Sequence, residues 1–182
     1  MKKQLLFLLP FVLFACKGQT NQPVNTGTYV DIHAFFESEV ARLTQDSFGV
    51  YKRTRMDSTS NADSTDNPDW SKELYAFLDF NIKPTVWTTD FTKIEVEHDP
   101  NEVSDVYETT NSKQKIKTFK LKLNATGDII RFSTEIIEKG KIANTTTLLS
   151  YTKDVGYSLK VDRQTKIMGN EFYQIVGQFY RN

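Results

Sequence analysis

From Trp87 to the C-terminus, apolar side chains return at every second position. No other feature constrains the fold of this chain as strongly. Ile94 and Val96 alternate with Lys93, Glu95 and Glu97. Phe119, Leu121 and Leu123 alternate with Thr118, Lys120 and Lys122; Ile130, Phe132 and Ile136 alternate with Arg131, Ser133 and Glu135. Tyr157, Leu159 and Val161 repeat the pattern, and Tyr173, Ile175, Gly177 and Phe179 share one face. Turn residues separate the runs at 124–127, 139–141, 154–156 and 169–170. Short strands with one apolar face and tight connections make an antiparallel meander, covered on one side and wet on the other. Seven strands follow residue 87, counting 103–109 and 145–152, and an eighth spans 50–56, so the sheet should have about seven to eight.

The cover must come from the N-terminal half. Ile32, Phe35, Phe36, Val40 and Leu43 recur at steps of three and four behind Asp31, a suitable N-cap, and predict an amphipathic helix. Glu37, Glu39 and Arg42 fall on its polar side. A second helix should open at Asn67-Pro68, carry Trp70, Leu74, Phe77 and Leu78 on its stripe and end near Pro84. Between them, 57–67 holds no aliphatic residue larger than alanine and reads as a polar loop. The expected fold class is α+β: a curved antiparallel meander with two amphipathic helices packed on one face.

Residues 1–15 differ from everything after them. Lys2 and Lys3 precede an apolar run of 11 residues from Leu5 to Ala15, too short to span a bilayer but of secretory-leader size. Leu13-Phe14-Ala15-Cys16 resembles the bacterial lipobox, with Phe14 bulkier than usual, and Cys16 is the only cysteine of the 182 residues. The resemblance implies a lipoprotein signal peptide over 1–15, cleavage before Cys16, and acylation of that cysteine with chains such as palmitate. Several acyl chains at one site suffice for stable anchoring. Lys17, being non-acidic, implies transfer to the outer membrane; periplasmic and surface faces both remain open. Residues 16–29 then form the lipidated cysteine and a flexible tether, its 12-residue linker reaching about 20 Å, and 30–182 a single domain.

The 23 basic and 23 acidic side chains cancel, which gives no electrostatic reason to expect nucleic acid. No nucleophile elbow, phosphate-binding loop or zinc motif occurs, so the sequence supports no enzyme, cofactor or metal. His33 and Glu37 stand four apart on a helix but lack a third ligand. Six carboxylates between Glu95 and Glu108 read as cross-strand ion pairs rather than a calcium loop. Asp57-Ser58-Thr59 and Asp63-Ser64-Thr65 resemble the O-glycosylation acceptor pattern of the Bacteroidota, which marks Ser58 and Ser64. Phe35, Phe36, Leu74, Phe77, Phe119, Phe132 and Phe179 form either a filled core or the lining of a hydrophobic cavity.

The stretch Asp69 to Leu74, with Phe77-Leu78, 81–84 and Trp87, resembles a recurring segment of small uncharacterised Bacteroidota outer-membrane lipoproteins. That likeness runs loosely over 30–180, includes Ile130 to Ser133, and implies compartment and fold without site residues. The architecture is similar, more remotely, to lipoprotein carriers of the LolA and LolB type. Two functions follow as expectations. One is a non-enzymatic accessory or interaction module of the cell envelope with an unknown protein partner. The other is a carrier that holds a lipid between helices and sheet.

Overall fold

The structure is a computed structural model that describes residues 29–99, 102–167 and 169–181; the leader, Cys16 and the tether through residue 28 lie outside it. In chain order the elements are α1 (Ile32–Gln45), β1 (Phe48–Met56), β2 (Thr59–Thr65), α2 (Trp70–Glu73), α3 (Tyr75–Leu78) and α4 (Pro84–Asp90). Seven strands follow: β3 (Phe91–Asp99), β4 (Glu102–Thr109), β5 (Ile116–Asn124), β6 (Ile129–Lys139), β7 (Ala143–Thr152), β8 (Gly156–Thr165) and β9 (Gly169–Arg181). All nine pair antiparallel in one open sheet of order β2-β1-β9-β8-β7-β6-β5-β4-β3. The fold is a mostly-β α+β domain.

The strand count of nine exceeds the expected seven to eight because 59–65, read as a loop, is β2. Asp57 turns the chain with φ 49°. Its N–H donates to Phe172 O at 3.0 Å and its Oδ1 accepts from Phe172 N at 2.9 Å, which stitches the turn to β9. Every residue of β2 is exposed. With neither face buried, the strand carries no apolar period to detect, and its polarity guards the sheet edge.

The expected second helix is three short pieces. Asp69 caps the first, so Pro68 lies before the helix and not at its first position: Asp69 Oδ1 accepts from Lys72 N at 3.3 Å, and hydrogen bonds from Ser71 and Lys72 hold its carboxyl down at about 2. Leu74, at φ −100°, interrupts the helix. Proline disfavours a helical residue before it, so Lys83 is extended (φ −62°, ψ 145°) and Pro84 opens α4 instead of closing a helix. α1 follows the sequence reading, with Asp31 Oδ1 accepting from Ala34 N at 3.0 Å. Glu39 departs from it, being buried rather than on the polar side.

β2 and β3 are the two sheet edges, so residues 66–90 must carry the chain from one to the other. The register puts Tyr107, Phe119, Phe132, Tyr151, Tyr157 and Phe179 on a common face. Aromatic rings of the connector meet them strand by strand. Trp70 lies 5.1 Å from Phe179 on β9. Phe77 lies 6.2 Å from both Tyr157 and Tyr151 on β8 and β7. Phe80 is 4.9 Å from Phe132 on β6. Trp87 is 4.6 Å from Phe119 and 4.8 Å from Tyr107, on β5 and β4. From α1, Phe36 adds contacts to Phe132 at 5.5 Å and Tyr151 at 5.3 Å. Such ring pairs contribute about 0.5–1.5 kcal/mol each beyond the area they bury.

Gly177 sits opposite Tyr157, and a Cβ there would overlap the Tyr157 ring. The glycine provides the space across which that ring lies. Gly177→Ala should therefore cost about 1–3 kcal/mol through overpacking. The measurement is the urea midpoint, and an unchanged midpoint would contradict the packing described.

Candidate functional site

Tyr151 and Tyr157 face each other across the β7–β8 pair. The Tyr151 hydroxyl donates to Glu39 Oε2, and Arg42 grips the same carboxylate with both ends, Nε to Oε1 at 2.9 Å and Nη2 to Oε2 at 2.7 Å. Arg42 Nη1 reaches on to Asp154 Oδ1 in the β7–β8 turn at 2.8 Å. The Tyr157 hydroxyl donates to Glu73 Oε2, whose other oxygen lies 2.6 Å from Lys52 Nζ on β1. Each chain runs phenol, carboxylate, cation. One fastens α1 to the sheet and the other fastens α2. On β4, Asp105 takes Lys93 at 2.6 Å, and the Tyr107 hydroxyl stands 3.4 Å from its second oxygen.

Burial first, and then the neighbouring carboxylates, push the Tyr151, Tyr157 and Tyr107 hydroxyls above the usual range. The phenols stay neutral and act as donors, and each carboxylate already holds a cation. These groups are ties between elements, not a poised acid and base.

The other singled-out residues fall in several places. Phe36, Leu74, Phe77, Phe119 and Phe132 are buried in one cluster, against which Phe35 and Phe179 pack half-buried. Ring contacts join Phe36 to Phe35 and Phe77, and Phe179 to Trp70 and Tyr157. Ser58 is exposed in the β1–β2 turn; Ser64 is exposed on β2, opposite Tyr51. His33 Nδ1 donates to Leu78 O at 2.7 Å and ties α1 to α3, while Nε2 lies 3.4 Å from Glu37. Among the described residues no group of three metal-binding side chains occurs. Cys16 lies outside them. Of the acidic segment, Asp105 pairs with Lys93 on the adjacent strand, not with the later lysines, of which Lys115 takes Glu138 at 2.6 Å.

A cleft of about 610 Å³ opens where α3 stops short of the sheet. Its apolar lining is Ile116, Ile136, Leu149 and Phe80, with Tyr75 and Asp79 on the helical side and Lys113 and the Lys115–Glu138 ion pair at the rim. Leu159, Val161, Tyr173 and Ile175, on the same sheet face, are only half-buried. The diagonal path of the connector leaves this corner open. Sequence periodicity identifies the strand side chains but not where a cover ends, so the cleft was not legible. The Glu39 tie carried a weak signal: position 39 lies three after Phe36 and four before Leu43, within the apolar stripe.

No family model, curated protein or solved structure matches this chain.

A phenol with a raised value in the folded state holds its proton more tightly there than in the unfolded chain. Its contribution is complete below the unfolded value of about 10 and fades as the pH climbs through the folded one. Urea midpoints should be level near neutrality and fall above about pH 10. In Tyr151→Phe and Tyr157→Phe the unfolding free energy from urea titration should be lower at neutral pH, by about 1–3 kcal/mol for the lost carboxylate partner, and the alkaline fall less steep. A level profile to pH 11 in the parent would refute the ties.

Proposed function

We propose that this chain is a non-enzymatic, outer-membrane lipoprotein, acylated at Cys16, whose domain binds an amphipathic ligand in the open cleft. In this reading the sheet is curved, and α1 together with the α2–α4 connector forms the cover of its inner face. The observation that carries the proposal is the cleft between α3 and β5–β7, with apolar side chains beside exposed Lys113 and the Lys115–Glu138 pair. Its volume falls within the roughly 300–1,000 Å³ common for small-molecule sites. An acyl chain would lie on Ile116, Ile136 and Leu149 while an anionic head meets Lys113. Ser58 and Ser64 stand on the far edge of the sheet, where glycans would not obstruct the cleft.

The second reading is an accessory module that binds an envelope protein and no lipid. The filled packing of Phe36, Phe77, Phe119 and Phe132 favours it, because a lipid enclosed between helices and sheet would need that space.

A photoactivatable fatty acid separates the two. Cross-links should map to peptides covering 75–81, 113–116 and 136–149, and unlabelled fatty acid should suppress them. Labelling that is scattered over the surface, or that unlabelled fatty acid leaves unchanged, would favour the protein-directed reading.

A further inference from the structure

The sheet has two chemically different ends. Running β1 from Phe48 to Met56 and following the antiparallel register places the β1–β2 turn, with Asp57 and Ser58, and the turns after β4, β6 and β8 at one end. The turns after β5 and β7, and the entry to β1, lie at the other. The first end presents Lys141-Ile142 and Lys166-Ile167 on neighbouring turns. Lys166 N donates to Ile142 O at 3.2 Å, which joins the two tips into one unit. Ile142 is 67% exposed and Ile167 85%. Lys113, Lys139, Lys141 and Lys166 are exposed around them and pair with no carboxylate among the described residues. Beside the tips, Lys113, Lys115, Lys117 and Lys139 line a second cleft of about 620 Å³ whose one carboxylate, Glu138, is occupied by Lys115. The opposite end carries Asp46, Asp128 and Asp154, but Arg42 pairs with Asp46 and Asp154, Lys153 stands beside Asp128, and Arg181 lies opposite Phe48, so its charges balance.

We propose that the end bearing Ile142 and Ile167 docks on an anionic phospholipid bilayer. The two isoleucines protrude from turn tips instead of lining a depression. That shape suits insertion into the soft boundary between headgroups and acyl chains. The lysines around them meet lipid phosphates, their stems lying along the apolar layer while the ammonium groups stay at the headgroups. A basic rim with an apolar tip is the combination that holds a peripheral domain at an anionic interface. The ligand cleft shares Lys113 and Lys115 with this end, so its mouth would face the bilayer. The docking argument stands on the turn tips and does not require the cleft to be filled.

The test uses the full chain with Cys16→Ser, so that one introduced cysteine is the sole label site. An environment-sensitive fluorophore is placed through Ile167→Cys, and in a second protein through Val155→Cys, an exposed residue of the opposite end. Both are mixed with vesicles that contain a nitroxide-bearing lipid. In mixed phosphatidylglycerol–phosphatidylcholine vesicles, quenching at 167 should exceed that at 155 by about threefold or more, and should fall towards the 155 level in phosphatidylcholine alone. Lys139→Glu with Lys166→Glu should abolish the difference. A label at 167 that stays aqueous would overturn the proposal and point to an acidic protein as the partner of this end. Equal quenching at both positions would also overturn it, since neither end would then be the one that meets the bilayer.

Discussion

The passage of residues 66–90 along the aromatic face of the sheet governs the rest of this structure. Because β1 pairs with the C-terminal β9, β2 and β3 become opposite edges, and one segment has to join them. Trp70, Phe77, Phe80 and Trp87 are spaced so that each meets the next strands along the route. The breaks at Leu74 and before Pro84 let the segment change direction as it crosses. A single long helix could not follow the strands in this way. The remaining connections, β1–β2 and β3 to β9, are hairpins between neighbours, whereas the β1–β9 pairing joins residues far apart in sequence. Pairings of such high separation slow folding.

Polar ties determine how the helical layer is held. Tyrosine suits their places because its ring packs with the surrounding phenylalanines while its hydroxyl reaches a carboxylate on the helix above. Glu39 and Glu73 are each satisfied twice, by a phenol and by a cation, which offsets the cost of taking a carboxylate out of water. Both ties meet at the β7–β8 pair, so α1 and α2 are fixed with respect to the same two strands. The cleft then lies where neither helix reaches.

Much of the architecture could be read directly from residue order. Period-two alternation marked five of the seven strands after Trp87, with 103–109 and 145–152 added between the turns, and Asp31 marked the start of α1. β2 escaped because an edge strand exposed on both faces has no pattern to display. The broken second helix escaped because Leu74 and Lys83 depart from helical geometry for reasons of direction and of the following proline. The apolar stripe of Trp70, Leu74, Phe77 and Leu78 alone does not encode either. Phe36, Phe77, Phe119 and Phe132 were recognisable as apolar and convergent, yet only their ring-on-ring packing distinguishes a core from a lining. The cleft and the charged sheet end depend on which turns lie side by side, and that is a property of register.

The central claim is that the connector and the sheet are one cooperative unit. Both tryptophans lie in the connector, and both are buried. Trp70→Phe and Trp87→Phe leave one reporter each at opposite ends of the crossing. Urea unfolding followed by tryptophan fluorescence in each variant, and by far-ultraviolet circular dichroism for the strands, compares the two directly. Coincident midpoints from all three signals are the predicted result. A fluorescence transition completed while the strand signal persists would contradict the account, since the sheet would then stand without the segment that crosses it.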